Sequence, residues 1–137
     1  ILLVEDNPGD IRLTQEALKE SQLDIHLDVV SDGEQAIDFL NKRNKYAESI
    51  RPHIILLDLN LPKKNGIEVL KEVKVQDSLK SIPIIVLTTS DADHDISKAY
   101  SLHANCYILK PVDFDDFVKV IQLIELYWFN TVQLAHA

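Results

Sequence analysis

Four apolar runs of strand length in this 137-residue chain are each followed at once by side chains that can do chemistry. These side chains are carboxylates, hydroxyls and one amine, in the segments Glu5-Asp6, Asp58, Thr88-Thr89-Ser90 and Lys110-Pro111. Because ligands of open α/β sheets bind beyond the carboxyl ends of the strands, we expect the four segments to converge. Three carboxylates in one pocket repel one another unless a cation compensates them. Oxygen ligands of this kind favour a hard cation, and we predict Mg²⁺.

The same set of groups suits phosphoryl transfer, which needs an anionic nucleophile, a metal ion and fixed donors for the phosphoryl oxygens. Asp58 is the predicted nucleophile, because carboxylates form acyl phosphates and Asp58 is central among the strand ends. Asn60 lies just beyond it and can offer a backbone carbonyl to the metal ion. Thr88 is expected to donate its hydroxyl, and Lys110 to supply a fixed positive charge. Any one of these residues alone is more often a cap or a turn residue, so the prediction depends on their convergence.

Five apolar runs alternate with five segments of helical spacing. The runs at residues 53–57 and 84–87 are continuously apolar, as strands covered on both faces are, whereas residues 25–30 alternate like an edge strand. The other two runs are residues 1–4 and 106–109. Helix starts are marked by polar caps and turn residues at Asn7-Pro8, Ser31-Asp32-Gly33, Asn65-Gly66 and Asp113. Strict β–α alternation predicts a parallel sheet with right-handed crossovers and helices on both faces.

Composition limits the class of protein. Length predicts a single domain over residues 1–137 with no separate output domain, and 46% apolar residues predict a real core. Acids outnumber bases 22 to 14, and the resulting charge of −8 argues against nucleic acid as a partner. No apolar run is long enough to span a membrane, so we expect a cytoplasmic protein without a membrane partner. The chain has no methionine and opens in an apolar run, so we expect its natural start to be missing.

Cysteine and histidine usage gives no metal or disulfide site. A single cysteine, Cys106, excludes an internal disulfide and a thiolate zinc cluster, and its place in a predicted strand indicates an inert core thiol. The five histidines show no ligand spacing: His26, His53, His94, His103 and His136.

The residues singled out above resemble those of a response regulator receiver domain, over essentially the whole chain. The matching motifs are the acid pair Glu5-Asp6, the LLDLNLP segment with Asp58, the LTTS segment with Thr88, and Lys110-Pro111. The resemblance implies a doubly wound, flavodoxin-like (βα)₅ fold with strand order 2-1-3-4-5. It also implies that a histidine kinase phosphorylates Asp58 and that the domain itself catalyses this transfer.

The resemblance further assigns roles to individual residues. Asp6, Asp58 and the Asn60 carbonyl would hold Mg²⁺ with the help of Glu5. Thr88 would move toward the phosphate while Tyr107 turns inward, which would alter the face made by the fourth helix, fifth strand and fifth helix. The peptide bond before Pro111 would be cis. Two departures from the usual family pattern are small: Glu5 stands where aspartate is common, and Asn65 where aspartate often precedes the glycine.

Three segments are similar to a narrower group, the single-domain response regulators that serve cyanobacterial phytochromes. These segments are residues 46–52, residues 57–66 and the Leu-His-Ala-Asn-Cys-Tyr run at 102–107. A bacterial phytochrome of the histidine kinase class is therefore the expected kinase partner.

The last helix carries more apolar residues than packing on the sheet requires. One stripe accounts for that packing: Phe117, Ile121, Ile124 and Trp128. A second set projects away from the stripe: Val118, Leu123, Leu126 and Phe129. Surplus apolar surface marks an interface, so we predict a homodimer through the fourth helix, fifth strand and fifth helix. The alternative is that the tail, down to Val132 and Leu134, folds back over its own domain.

Three other functions compete with a phosphoacceptor switch. A Mg²⁺-dependent phosphatase acting through an aspartyl phosphate usually has a second acid two residues after the nucleophile, where this chain has Asn60. A flavodoxin-type cofactor module needs a phosphate loop after the first strand, but Glu5-Asp6-Asn7 would repel a phosphate. A receiver-like interaction module that is never phosphorylated is the third alternative.

Overall fold

Five parallel strands form one sheet in the order β2-β1-β3-β4-β5, which confirms the predicted order. The computed structural model describes residues 1–135, so His136 and Ala137 lie outside the described residues. The strands are short, at three to five residues each: β1 Leu2–Val4, β2 Asp28–Val30, β3 Ile55–Leu57, β4 Ile84–Thr88 and β5 Cys106–Leu109.

Five α-helices connect and flank the strands: α1 Pro8–Lys19, α2 Gly33–Leu40, α3 Gly66–Val75, α4 Asp93–Ser101 and α5 Phe114–Glu125. A 3₁₀ turn at Asn44–Tyr46 follows α2, and a π-helical segment, Leu126–Thr131, continues α5. Four of the five helices begin where polar caps predict them. The capping side chains each accept a hydrogen bond from the backbone N–H three residues later: Asn7, Asp32, Asn65 and Asp113.

Two apolar cores cover the two faces of the sheet. Helices α2, α3 and α4 pack on one face, where Leu57 and Val86 are fully buried. Helices α1 and α5 pack on the other face, where Leu56 and Ile85 are fully buried. Successive strand residues point to opposite faces, so β3 and the first four residues of β4 are all apolar. This explains why the sequence identified the two central strands most clearly.

The edge strands differ from the predictions. Strand β2 was predicted over residues 25–30 but pairs only at Asp28–Val30, because β1 offers it only the three partners Leu2–Val4. Ile25 and Leu27 still pack, half-buried, against the core under α1 and α5. Strand β5 is the other edge, and Cys106 is therefore only partly buried, not enclosed in the core as predicted. Among the described residues, no helix is long and apolar enough to cross a membrane.

The start of α2 packs directly against the loop that follows β3. A Cβ atom at Gly33 would lie 1.9 Å from the carbonyl oxygen of Lys64, so only glycine permits this approach. The Lys63 ammonium also reaches the buried Asp32 carboxylate, at 3.7 Å. At the other end of the loop, a Cβ atom at Gly66 would lie 2.3 Å from the Asp58 carbonyl oxygen. Helix α2 and strand β3 therefore hold the loop of residues 59–65 from both ends.

Replacing Gly33 with alanine should destabilise the protein, because a backbone carbonyl has to move to make room for the new methyl group. We expect Gly33→Ala to lower the free energy of unfolding by about 1–3 kcal/mol. Gly9→Ala is the matched control, since its Cβ would meet only the Asn7 side chain, at 3.2 Å. We expect the control to change stability by less than about 1 kcal/mol. Urea denaturation measures both values, and equal stabilities would contradict the close contact.

Candidate functional site

The carboxyl ends of β1, β3 and β5 and the first turn of α1 bring four charged side chains into contact. Lys110 Nζ donates hydrogen bonds to Glu5 Oε2 at 2.6 Å, to Asp10 Oδ2 at 2.8 Å and to Asp58 Oδ2 at 3.0 Å. The Lys110 side chain is only 6% exposed, and the side chains of Glu5 and Asp58 are similarly buried. The predicted convergence of Glu5, Asp58 and Lys110 is thus present in the structure.

Backbone hydrogen bonds explain how the sheet places these groups. The ladder of the parallel sheet continues one residue past each strand. The N–H of Glu5 donates to the Val30 carbonyl at 3.0 Å, that of Asp58 to the Val4 carbonyl at 3.1 Å, and that of Lys110 to the Thr88 carbonyl at 2.8 Å. The functional residues therefore have fixed backbones although they follow the strands.

Burial and the hydrogen bonds of Lys110 dominate the electrostatics of the site. Burial raises the pKa of Glu5 to about 7, with Asp58 adding to the rise and the hydrogen bond from Lys110 opposing it. Burial alone would lower the pKa of Lys110, but its hydrogen bonds to Asp10, Glu5 and Asp58 outweigh that effect and raise it. The ammonium of Lys110 thus stays charged, and one positive charge faces several carboxylates.

The single positive charge of Lys110 does not neutralise all the carboxylates of the site, and a divalent cation could neutralise the rest. Carboxylate oxygens of Glu5, Asp6 and Asp58 all lie within 4.8 Å of one another. Asp6 is exposed, so that the group is open to solvent on one side. All three donors are oxygens, which hard cations such as Mg²⁺ prefer. The N–H of Asn60 donates to Asp58 Oδ1 at 3.3 Å, so Asn60 lies beside the site as expected.

Thr88 and Tyr107 are both at the end of the sheet but make different contacts. Thr88 is fully buried at the last position of β4, and within residues 1–135 its hydroxyl forms no hydrogen bond to Asp58 or Lys110. The Tyr107 hydroxyl donates to the Ser90 carbonyl at 2.8 Å, and the Ser90 hydroxyl donates to Asp95 Oδ2 at 2.5 Å. Tyr107 is thereby connected to the loop between β4 and α4, which begins directly after Thr88.

One residue of the site was missed by the sequence analysis. Asp10 lies in the first turn of α1 and binds Lys110 as closely as Asp58 does. An acidic residue in a first turn is ordinary, since it complements the helix dipole, so its type and place gave no separate signal. The predicted cis peptide before Pro111 is wrong: all described peptide bonds are trans. Trans is the lower-energy isomer, and Lys110 reaches all three carboxylates with it.

The predictions for the packing of the C-terminal helix are confirmed in part. The predicted packing stripe is buried at Phe117, Ile121 and Ile124, and Trp128 is half-buried. Leu123 and Leu126 project into solvent as predicted, at 63% and 53% exposed.

Part of the surplus apolar surface is covered by the chain itself. Val118 and Phe129 were predicted to project away, but both pack against the core under α1 and α5. Phe129 contacts the ring of His53 edge to face, with ring centroids 6.4 Å apart. Leu134 packs on the same core, so the alternative prediction of a tail that folds back is correct in part.

The ionisation of Glu5 should make stability depend on pH. Its pKa is about 7 in the folded protein and near the ordinary 4.5 when unfolded, so only the folded chain keeps this proton between those values. The free energy of unfolding of the metal-free protein should therefore fall as pH rises from about 4.5 to about 7. Glu5→Gln should flatten this fall, and Glu20→Gln, an exposed control, should not. Urea denaturation across this range tests the prediction, which an equally steep fall in Glu5→Gln would contradict.

Comparison with known proteins agrees with the geometry of the site. The sequence profile of the response regulator receiver domain matches residues 1–122. Response regulator Rcp1 of Synechocystis sp. is 50% identical over 137 residues, spanning 100% of this chain and 93% of the relative. The crystal structure of Mn²⁺-bound Rcp1 has a TM-score of 0.95 at 49% identity, covering 98% of this chain and 97% of that one.

A second solved structure matches equally well. The phosphorylated cyanobacterial phytochrome response regulator RcpA has a TM-score of 0.96 at 46% identity, and the match covers 98% of this chain and 96% of that one. The profile match spans most of the chain, and the similarity to Rcp1 spans all of it. The chain belongs to the response regulator receiver domain family.

Proposed function

We propose that this chain is a cytoplasmic phosphoacceptor of a two-component system that receives a phosphoryl group on Asp58. The observation that carries this proposal is the contact of buried Lys110 with Asp58 and Glu5, beside the carboxylates that can hold a divalent cation. Family membership supplies the reaction class. It supports the proposal that the chain is a signalling domain whose chemistry is limited to its own phosphorylation and dephosphorylation.

The residues present can perform each part of that reaction. A carboxylate oxygen of Asp58 attacks the phosphorus of a phosphohistidine, and the bond between phosphorus and nitrogen breaks with its electron pair staying on the nitrogen. Lys110 offsets the negative charge next to the nucleophile, and Thr88 donates its hydroxyl to a phosphoryl oxygen. Glu5, Asp6, Asp58 and the Asn60 carbonyl would hold Mg²⁺, which when bound neutralises phosphoryl charge.

We infer that the switch runs through Thr88 and Tyr107. Movement of Thr88 toward a phosphoryl group would shift the loop that begins with Thr89. Tyr107 would move with that loop, because its hydroxyl donates a hydrogen bond to the Ser90 carbonyl. The Ser90 hydroxyl in turn donates a hydrogen bond to Asp95 in α4. Phosphorylation would thereby change the face formed by α4, β5 and α5.

The proposed phosphodonor is a histidine kinase of the bacterial phytochrome class. This inference is supported by the high similarity to RcpA, which is a cyanobacterial phytochrome response regulator, and to Rcp1. The phosphorylated state in which RcpA was crystallised also supports phosphorylation as the signal.

Intact mass spectrometry after incubation with acetyl phosphate tests the proposed chemistry. We expect one phosphoryl adduct that requires Mg²⁺ and is absent in Asp58→Asn, because that amide is not a nucleophile. Asp77→Asn is the matched control, since Asp77 has a 94% exposed side chain, and it should form the adduct normally. Absence of an adduct from the wild type under every condition would favour an unphosphorylated interaction module. Multiple turnover of a phosphate ester would favour a phosphatase.

We further infer that the chain forms a homodimer through α4, β5 and α5. Leu123, Leu126 and Tyr127 form an exposed ridge on the C-terminal part of α5 and its π-helical extension. Beside the ridge lies an apolar cavity of about 540 Å³, with Cys106, Ile108 and Val120 in its wall. A two-fold axis would place the ridge of each copy against the cavity of the other, so that a self-complementary face closes on itself.

Sedimentation velocity at micromolar concentration tests the dimer. We expect a dimer for the wild type and a monomer for Leu123→Glu, because two charges would face an apolar surface at the symmetric contact. Val75→Glu is the control, since Val75 on α3 is equally exposed, at 71%, but lies outside the proposed interface. A wild-type monomer throughout this concentration range would contradict the proposal.

A further inference from the structure

The ammonium of Lys110 has no free hydrogen-bond donor. A lysine ammonium carries three N–H groups, and in this structure the three acceptors are Glu5, Asp10 and Asp58. On the proposed function, Lys110 also has to bind an oxygen of the phosphoryl group on Asp58. One of its three present contacts must therefore be given up when the phosphoryl group arrives.

The three acceptors differ in how well they tolerate release. The side chains of Glu5 and Asp58 are only 3% and 8% exposed, so losing Lys110 would leave a buried oxygen without its donor: a carboxylate oxygen of Glu5, or an oxygen of the phosphorylated Asp58 side chain. The Asp10 side chain is 24% exposed, and water can replace Lys110 there. Asp10 also lies in the first turn of α1, where the positive end of the helix dipole stabilises a free carboxylate.

We propose that Asp10 competes with the phosphoryl group for Lys110, and that it thereby lowers the affinity of the site for a phosphoryl group. In the unphosphorylated protein Asp10 holds one Lys110 donor, and in the phosphorylated protein that donor turns to a phosphoryl oxygen while Asp10 becomes hydrated. Asp10 is a positioning residue, because it acts through Lys110 and does not touch Asp58. This inference rests on the proposed function and adds a residue that tunes it.

Binding of beryllofluoride, a non-covalent mimic of an aspartyl phosphate, tests the competition without covalent chemistry. Isothermal titration calorimetry with Mg²⁺ present should show binding to Asp10→Asn that is about tenfold tighter than to the wild type, because Lys110 then gives up a weaker contact with a neutral amide instead of an ion pair with a carboxylate. Asp10→Glu keeps the charge and should resemble the wild type. The rate of adduct formation from acetyl phosphate should rise in Asp10→Asn in the same direction.

A control separates competition from a general loss of negative charge. Glu16→Gln removes one charge from the same helix, but Glu16 is exposed and pairs with Lys19 instead of Lys110. We expect its beryllofluoride affinity to equal that of the wild type. In the metal-free protein, nuclear magnetic resonance should show faster hydrogen exchange of the Lys110 ammonium in Asp10→Asn than in Glu16→Gln, since only the former replaces a carboxylate acceptor of Lys110 with a neutral and weaker amide acceptor.

The outcomes of this experiment are distinguishable. Unchanged or weaker beryllofluoride binding by Asp10→Asn, with a wild type that binds normally, would overturn the competition and leave the proposed function intact. Equal tightening in Glu16→Gln would also overturn it, because charge alone would then explain the effect. A wild type that neither binds beryllofluoride nor forms an adduct would overturn the proposed function itself.

Discussion

The buried ion cluster at Lys110 is the constraint on which the rest of the structure depends. A lysine that is only 6% exposed keeps its charge solely because carboxylates from β1, α1 and β3 surround it. Those carboxylates in turn tolerate burial because Lys110 and the backbone N–H groups of Asn7 and Asn60 donate to them. The strands β1, β3 and β5, with β4 between the last two, must end at the same edge of the sheet for this arrangement to form. The sheet therefore positions the charged residues of the site, and the two apolar cores stabilise the sheet.

Apolar runs typical of buried strands predicted the fold, and polar residues at the ends of several strands predicted the site. Strands β3 and β4 are covered on both faces and so carry an unambiguous apolar run, whereas β2 and β5 lie at the edges and were misjudged in length or burial. Glu5, Asp58 and Lys110 were found because they follow strands. Asp10 was not, because its contact with Lys110 depends on where the fold places the first turn of α1 relative to the end of β5, which no local pattern encodes. The isomer before Pro111 likewise depends on the three-dimensional environment.

Two regions of the chain connect the site to more distant surfaces. The loop after β4 joins Thr88 to Tyr107 through Ser90, because the Tyr107 hydroxyl donates to the Ser90 carbonyl. The hydroxyl of Tyr100 in α4 accepts from the N–H of Tyr107 at 3.1 Å, which ties the edge strand to the helix beside it. Helix α4, strand β5 and the loop after Thr88 are therefore joined by polar contacts that involve only a few side chains.

The contact between Gly33 and the Lys64 carbonyl makes α2 part of the site, although α2 contributes no ligand. The loop of residues 59–65 begins directly after Asp58, and close contacts at Gly33 and Gly66 hold it, so the loop and the start of α2 form one geometric unit. A chimera that takes only this loop from a relative would combine it with a helix α2 that evolved to contact a different loop. Chimeras that test partner choice should accordingly exchange residues 31–66 as one block, with crossover points in β2 and α3.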